Sequence, residues 1–178
     1  MSKNTKKVVK TETELKKLIE DTRKLRRAEK PIYKPSVFLI LDGLDIANYR
    51  KSGFPTFNDV KLVLESCIPK YKPISVVVDS SMRYLIPEEE VTEFEQALNK
   101  GIQVKNVIVQ IIEVNSFEQV ITRLLKLAVD NNAKVLSNQN LIESYETIKQ
   151  RKISSSFIGK QFQVSYKITE SEITIFEQ

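Results

Sequence analysis

The sequence predicts an α/β fold: a three-layer sandwich with a mainly parallel central sheet and a C-terminal β-hairpin. Two apolar runs, Val37–Leu41 and Ile74–Val78, are unbroken by charge, and each closes on an aspartate, Asp42 and Asp79. Strands buried on both faces of a parallel sheet read this way. Segments of helical periodicity follow the strands in turn, and repeated strand–helix units place helices on both sheet faces. Near the end of the chain, 161–167 and 172–176 alternate apolar and polar residues around Thr169-Glu170-Ser171, the pattern of a hairpin.

The elements follow in order. Residues 1–10 carry no periodicity and are expected to be disordered. Thr11 and Glu14 form a candidate capping box that opens a helix to about Glu29. Its apolar stripe of Leu15, Leu18, Ile19 and Leu25 is thin, and Lys and Arg cover the rest. Pro31 to Pro35 act as a linker. The expected organisation is therefore a basic tail, helix and linker over 1–35 and one domain over 36–178. In that domain strand 37–41 is followed by a turn-rich loop, Tyr49 to Thr56, and a helix from about Asn58 to Ile68. Strand 74–78 leads to a helix from about Pro87 to Lys100, stopped by Gly101. Val104 to Val114 is a third strand region. Helix Ser116–Asn131 gathers Phe117, Ile121, Leu124, Leu125 and Ala128 on one face. A short strand, 133–136, and a helix from about Gln139 to Lys149 complete the alternation. Strand 37–41 is expected at the centre, flanked by 74–78 and 133–136.

Composition narrows the function. The 178 residues suffice for one domain with a real core. No apolar run approaches a membrane span, and the lysine-rich start is not followed by a signal-peptide core, so the chain reads as cytoplasmic with no membrane partner. Histidine is absent and cysteine occurs once, as Cys67. Ser-His and Cys-His catalysis, zinc fingers and intramolecular disulfides are thereby excluded. The net charge of +5 is unevenly spread: residues 1–30 hold eleven Lys/Arg against five Asp/Glu, and the rest of the chain is close to neutral. A basic arm on a neutral body points to a polyanion, most simply RNA, with Arg23, Arg26 and Arg27 as its contacts; a solubilising tail is the plainer reading.

Ligand sites in open α/β sheets lie beyond the carboxyl ends of the strands. Asp42, Asp45 and Asp79 stand there, and adjacent carboxylates are costly unless a hard cation such as Mg²⁺ or Mn²⁺ shares the crevice. Each acid also has a local reading. Asp42 and Asp45 can form a turn around Gly43, Asp79 can cap the next segment, and Glu118 is an ordinary first-turn acid. Arg83, Arg50, Lys51 and Tyr49 follow the two strand ends and could line a phosphate path, with Tyr49 or Tyr84 stacking on a base. Glu88-Glu89-Glu90 reads as an acidic helix start.

Four segments carry a resemblance: Val37 to Asn48, Val76 to Arg83, Leu124 to Ala128, and Val135 to Asn138. In order and spacing they resemble the NYN branch of the PIN-like nucleases, closest to the Regnase-like single-domain forms. The resemblance covers most of 36–165. It implies a PIN-like (Rossmannoid) fold and Mg²⁺- or Mn²⁺-dependent cleavage of RNA, because clustered carboxylates hold the ion that activates water and stabilises the leaving oxygen. It makes Asp42 the leading metal ligand, with Asp79 beside it, Asp45 where the family usually has Asn, and Asn138 within a strand-end Ser-Asn-Asp signature facing RNA. The catalytic set is then Asp42, Asp79 and Asp45, and the metal set Asp42, Asp79 and Glu118. Two family acids are replaced: the helix carboxylate falls on Ile121, and the signature aspartate is Gln139. The expectation is an RNA-binding protein on this fold with weakened or lost endoribonuclease activity. The alternatives are an active Mg²⁺/Mn²⁺ endoribonuclease and a non-enzymatic ribonucleoprotein component. A phosphoacceptor receiver domain also places aspartates at strand ends, but it needs a later strand-end Lys where this chain has Ser137-Asn138-Gln139.

Overall fold

A computed structural model describes residues 37–50, 53–149, 162–169 and 172–177. The expected N-terminal helix with Arg23, Arg26 and Arg27, the linker, and Lys51 lie outside the described residues. Seven strands form the order β3-β4-β2-β1-β5-β6-β7. They are β1 (Val37–Asp42), β2 (Tyr71–Asp79), β3 (Ile102–Val104), β4 (Val107–Val114), β5 (Lys134–Leu136), β6 (Gln163–Ile168) and β7 (Ile173–Glu177). The described helices are α1 (Gly43–Ala47), α2 (Phe57–Cys67), α3 (Met82–Leu85), α4 (Glu88–Lys100), α5 (Phe117–Asp130) and α6 (Leu141–Lys149).

Strand β1 lies between β2 and β5, as the apolar runs require. Leu41 is level with Val76 on one side and Leu136 on the other. β4 and β6 extend the parallel centre. Both outer strands, β3 and β7, run antiparallel to their neighbours. The sheet is therefore mixed, and the expectation of a mainly parallel sheet is corrected. The reason is local: the expected strand region is β4, Val107–Val114, but the short β3 before it, Ile102–Val104, folds back on it in a tight hairpin turned at Lys105 with φ 54°. Together with the expected C-terminal hairpin, it folds an antiparallel strand onto each edge.

Alternation along β1 and β2 separates two cores. Leu39, Leu41, Val76 and Val78 pack with α2 and Phe94 of α4 on one face. Ile40 and Val77 pack with Ile121, Leu124 and Leu125 of α5 and with Leu141 of α6 on the other. This is the three-layer arrangement, with one apolar stripe of each helix buried.

Other differences are small but bear on the site. Between β1 and the expected loop the chain forms the short α1, and it forms the short α3 after β2. α1 can press on β2 only because residue 43 is glycine. A Cβ there would meet Val78 Cγ1 at 2.7 Å and Val76 Cγ1 at 2.8 Å. Strand β2 begins earlier than the apolar run, at Tyr71, and helix α6 begins later, at Leu141. Gly101 ends α4 as expected, with φ 82°, a backbone that glycine adopts without strain.

Candidate functional site at the carboxyl ends of the strands

Asp42 and Asp79 end adjacent parallel strands, and the pleat aims both toward the α5 face. They are staggered: Asp42 is level with Val77, and Asp79 is level with Val114 of β4. Each carboxylate serves the turn that follows it. Asp42 is the N-cap of α1, its Oδ1 accepting from Asp45 N–H at 3.2 Å. Asp79 Oδ1 accepts from Ser81 N–H at 2.7 Å. These are the local roles the turn residues allow.

The second oxygen of Asp42 opens a network into β5 and β6. Ser137 Oγ lies 3.0 Å from Asp42 Oδ2 and 3.5 Å from Asp45 Oδ2, so one hydroxyl proton is shared between two carboxylates. Asp45 Oδ2 also accepts from Asn138 N–H at 2.8 Å and from Tyr166 Oη at 2.9 Å. Asp42 is wholly buried. Burial first, and the Asp45 charge second, push its carboxyl up to about 7. Burial and the same Asp45 charge push the Tyr166 phenol upward, so it remains a donor at neutral pH. Tyr166 was not among the residues singled out from the sequence. The signal for it is the alternation of β6, which puts a phenol on the buried face with Val164, where its hydroxyl needs a partner.

The remaining expected site residues disperse. Glu118 is exposed on the first turn of α5, in a groove along that helix. Ile121, where the resemblance implies an acid, is fully buried in the α5 core. Gln139 donates its N–H to Ser137 Oγ and accepts from Gln163 Nε2 through its carbonyl. Arg50 Nε stands 3.1 Å from the buried Asp59 carboxylate of α2. Arg83 pairs with Glu113 of β4 and donates to Ser80 O. Tyr49 is partly buried, its ring packed 5.2 Å from that of Tyr166. Asn138 spends both ends of its amide on the Tyr166 backbone. Tyr84 alone of the expected stacking residues is open, at 84% exposure. Glu90 belongs to no metal site: it is buried and accepts from Thr56 Oγ1, Phe57 N–H and Asn58 Nδ2, closing the start of α2 from the neighbouring helix.

A hard divalent cation needs several open oxygen ligands, preferably charged. Among the described residues no three acids or thiols group to hold one. Both oxygens of Asp42 accept protein hydrogen bonds in a fully buried position, and Asp45 Oδ2 takes three donors. This donor set is closed upon itself and does not fit a divalent centre.

No family model and no curated protein matches the sequence. Among solved structures, the crystal structure of nuclear proteinaceous RNase P 2 (PRORP2) from A. thaliana is similar, with a TM-score of 0.57 at 13% identity. The match covers 96% of this chain and 37% of that one, so this chain spans little more than a third of that protein's length. At that identity the likeness is one of fold alone. No described helix is long and apolar enough to cross a membrane.

Proposed function

We propose that the chain is an RNA-binding protein built on a NYN/PIN-like nuclease fold whose metal-dependent endoribonuclease activity is weakened or lost. One observation carries the second half of this reading. Asp42 spends both carboxylate oxygens on internal hydrogen bonds, and the two further acid positions are a core isoleucine, Ile121, and Gln139. Fewer and less open carboxylates hold Mg²⁺ or Mn²⁺ weakly and orient water poorly. The RNA-binding half is supported by the fold likeness and by the basic segment 1–30.

The test uses the full chain with end-labelled single-stranded RNA. Binding is expected by fluorescence anisotropy. With Mg²⁺ or Mn²⁺, cleavage is expected to be no faster than that of Asp42→Asn. Robust cleavage that Asp42→Asn abolishes would establish the active endoribonuclease instead. Absence of RNA binding at low salt would remove the reading altogether.

A further inference from the structure

Strand β6 is seated on the turn after β5 by hydrogen bonds that do not use the Tyr166 side chain. Ser137 N–H donates to Val164 O at 3.1 Å. Gln163 Nε2 donates to Ser137 O at 2.9 Å and to Gln139 O at 2.6 Å. The Asn138 amide takes the backbone N–H and C=O of Tyr166. Seated in this way, β6 carries the Tyr166 hydroxyl to Asp45 Oδ2, which it meets at 2.9 Å. The Tyr49 ring packs against the phenol with centroids 5.2 Å apart.

Asp42 and Asp45 turn their Oδ2 atoms to one point, the Ser137 hydroxyl, at 3.0 and 3.5 Å. A hard cation is held through the same oxygen lone pairs that hydrogen-bond donors use. At Asp45 Oδ2 the donors are Ser137 Oγ, Asn138 N–H and Tyr166 Oη. Ser137 and Asn138 belong to the turn after β5, and Ser137 Oγ also accepts from Gln139 N–H at 3.2 Å within it. The Tyr166 hydroxyl comes from a different strand. It can be removed while the turn and the seat of β6 keep their bonds.

We propose that β6 is a built-in stopper of the strand-end crevice. Tyr166 is the group that closes it: the phenol binds Asp45 and denies the Asp42–Asp45 pair to a hard divalent cation. The inference rests on the reading of a weakened or lost metal-dependent activity and adds a cause to it, since the acids are masked by a neighbouring strand as well as too few. A phenol that only satisfied its own hydroxyl on the nearest acceptor would make the same bond, but its removal would leave cation binding unchanged. That difference is what the experiment reads.

The probe is Tb³⁺, a hard oxygen-seeking cation, titrated into the full chain. The protein has six tyrosines and no tryptophan, so Tb³⁺ bound beside Tyr49 is excited through tyrosine and reports by luminescence. The quantity compared is the part of the affinity that depends on Asp45. In the parent, Asp45→Asn should change Tb³⁺ affinity by less than about twofold. In Tyr166→Phe, adding Asp45→Asn should weaken it by about tenfold or more, the equivalent of one charge-assisted hydrogen bond that the ion no longer has to displace. Mn²⁺ should displace the Tb³⁺ gained in Tyr166→Phe. Tyr166→Phe keeps the ring and its packing, Tyr166→Leu is a second variant that opens more room, and thermal melts verify that each folds. If Asp45→Asn has no effect with either Phe or Leu at residue 166, the stopper is overturned while the reading of a weakened site stands. If Asp45→Asn weakens binding about tenfold already in the parent, the acids are open and both fall. Gained Tb³⁺ binding that Mn²⁺ fails to displace would overturn the stopper as well.

Discussion

Asn138 clasps the backbone of Tyr166: its Nδ2 donates to Tyr166 O at 2.9 Å and its Oδ1 accepts from Tyr166 N–H at 3.1 Å. The amide thus imitates a neighbouring strand just beyond the end of β5, where the ladder has run out. β6 is held there, and its Tyr166 hydroxyl is delivered to Asp45. The residue that resembles part of a nuclease signature acts in this chain as a structural fastener.

Asn138→Ala should therefore destabilise the domain by about 2–3 kcal/mol, since two hydrogen bonds go and the Tyr166 N–H and C=O lose partners. Urea unfolding measures this. A loss below about 0.5 kcal/mol, the size of an ordinary surface substitution, would show that the clasp is dispensable.

Asp42 predicts a pH dependence. Its carboxyl is raised from 3.8 to about 7 in the folded chain, so between those values the folded state keeps a proton that the unfolded state has released. Its contribution to stability must then fall as pH rises from about 4 to about 7 and level off above. Asp42→Asn removes that titration. Its amide can still accept from Asp45 N–H through oxygen and can donate to Ser137 Oγ. The variant should be more stable than the parent at pH 8 and should lose less stability between pH 5 and pH 8. A variant less stable than the parent at pH 8, with Mn²⁺ stabilising only the parent, would instead mark Asp42 as a working metal ligand.

Restoring acids separates core from crevice. Ile121→Asp places an unpaired charge among Ile40, Val77, Leu124 and Leu125, and should abolish cooperative folding or cost several kcal/mol, on the order of 3–5. Gln139→Asp, on a partly buried turn, should fold normally. Near-infrared or visible spectra with Co²⁺, and cleavage assays with Mn²⁺, should show little gain for Gln139→Asp alone, because Asp42 remains sealed. Strong gain of activity in this single variant would mean the site was one charge short rather than closed.

Glu90 fastens the start of α2 from α4, with Thr56, Phe57 and Asn58 as its donors. Glu90→Ala should cost about 2 kcal/mol, chiefly by leaving the buried Phe57 N–H unpaired. Amide exchange should accelerate first at the start of α2. Equal protection there in parent and variant would show that Thr56, whose hydroxyl also caps Asn58 N–H, suffices.

Deleting 1–35 should leave a cooperatively folding body, because the described residues of the sheet and its helices supply two cores of their own. RNA affinity should drop and its salt slope flatten, as fewer counterions are released. Unchanged affinity would make the segment a passive tail. Loss of the cooperative transition would make it part of the core.

The sequence by itself determined the strand order around β1, the helical faces of α5 and the hairpin after Gln161. Each of these is encoded in local periodicity: continuous apolar runs demand burial on both faces, and an apolar stripe demands a partner. It also determined which chemistries were impossible, since no histidine and one cysteine leave only carboxylates and cations to work with. Tertiary structure alone decided what those groups do. The first arm of the edge hairpin, Ile102–Val104, is three residues long, too short for a periodicity to set it apart from β4, and the sheet became mixed at that edge. Asp42 and Asp45 could have faced an ion or a hydroxyl. Ser137 and Tyr166 meet them from 95 and 121 residues away, by hydrogen bonds that no spacing in the chain announces. Charges are legible in a sequence, but their partners are not, because a partner is fixed by which strands meet in space and not by distance along the chain.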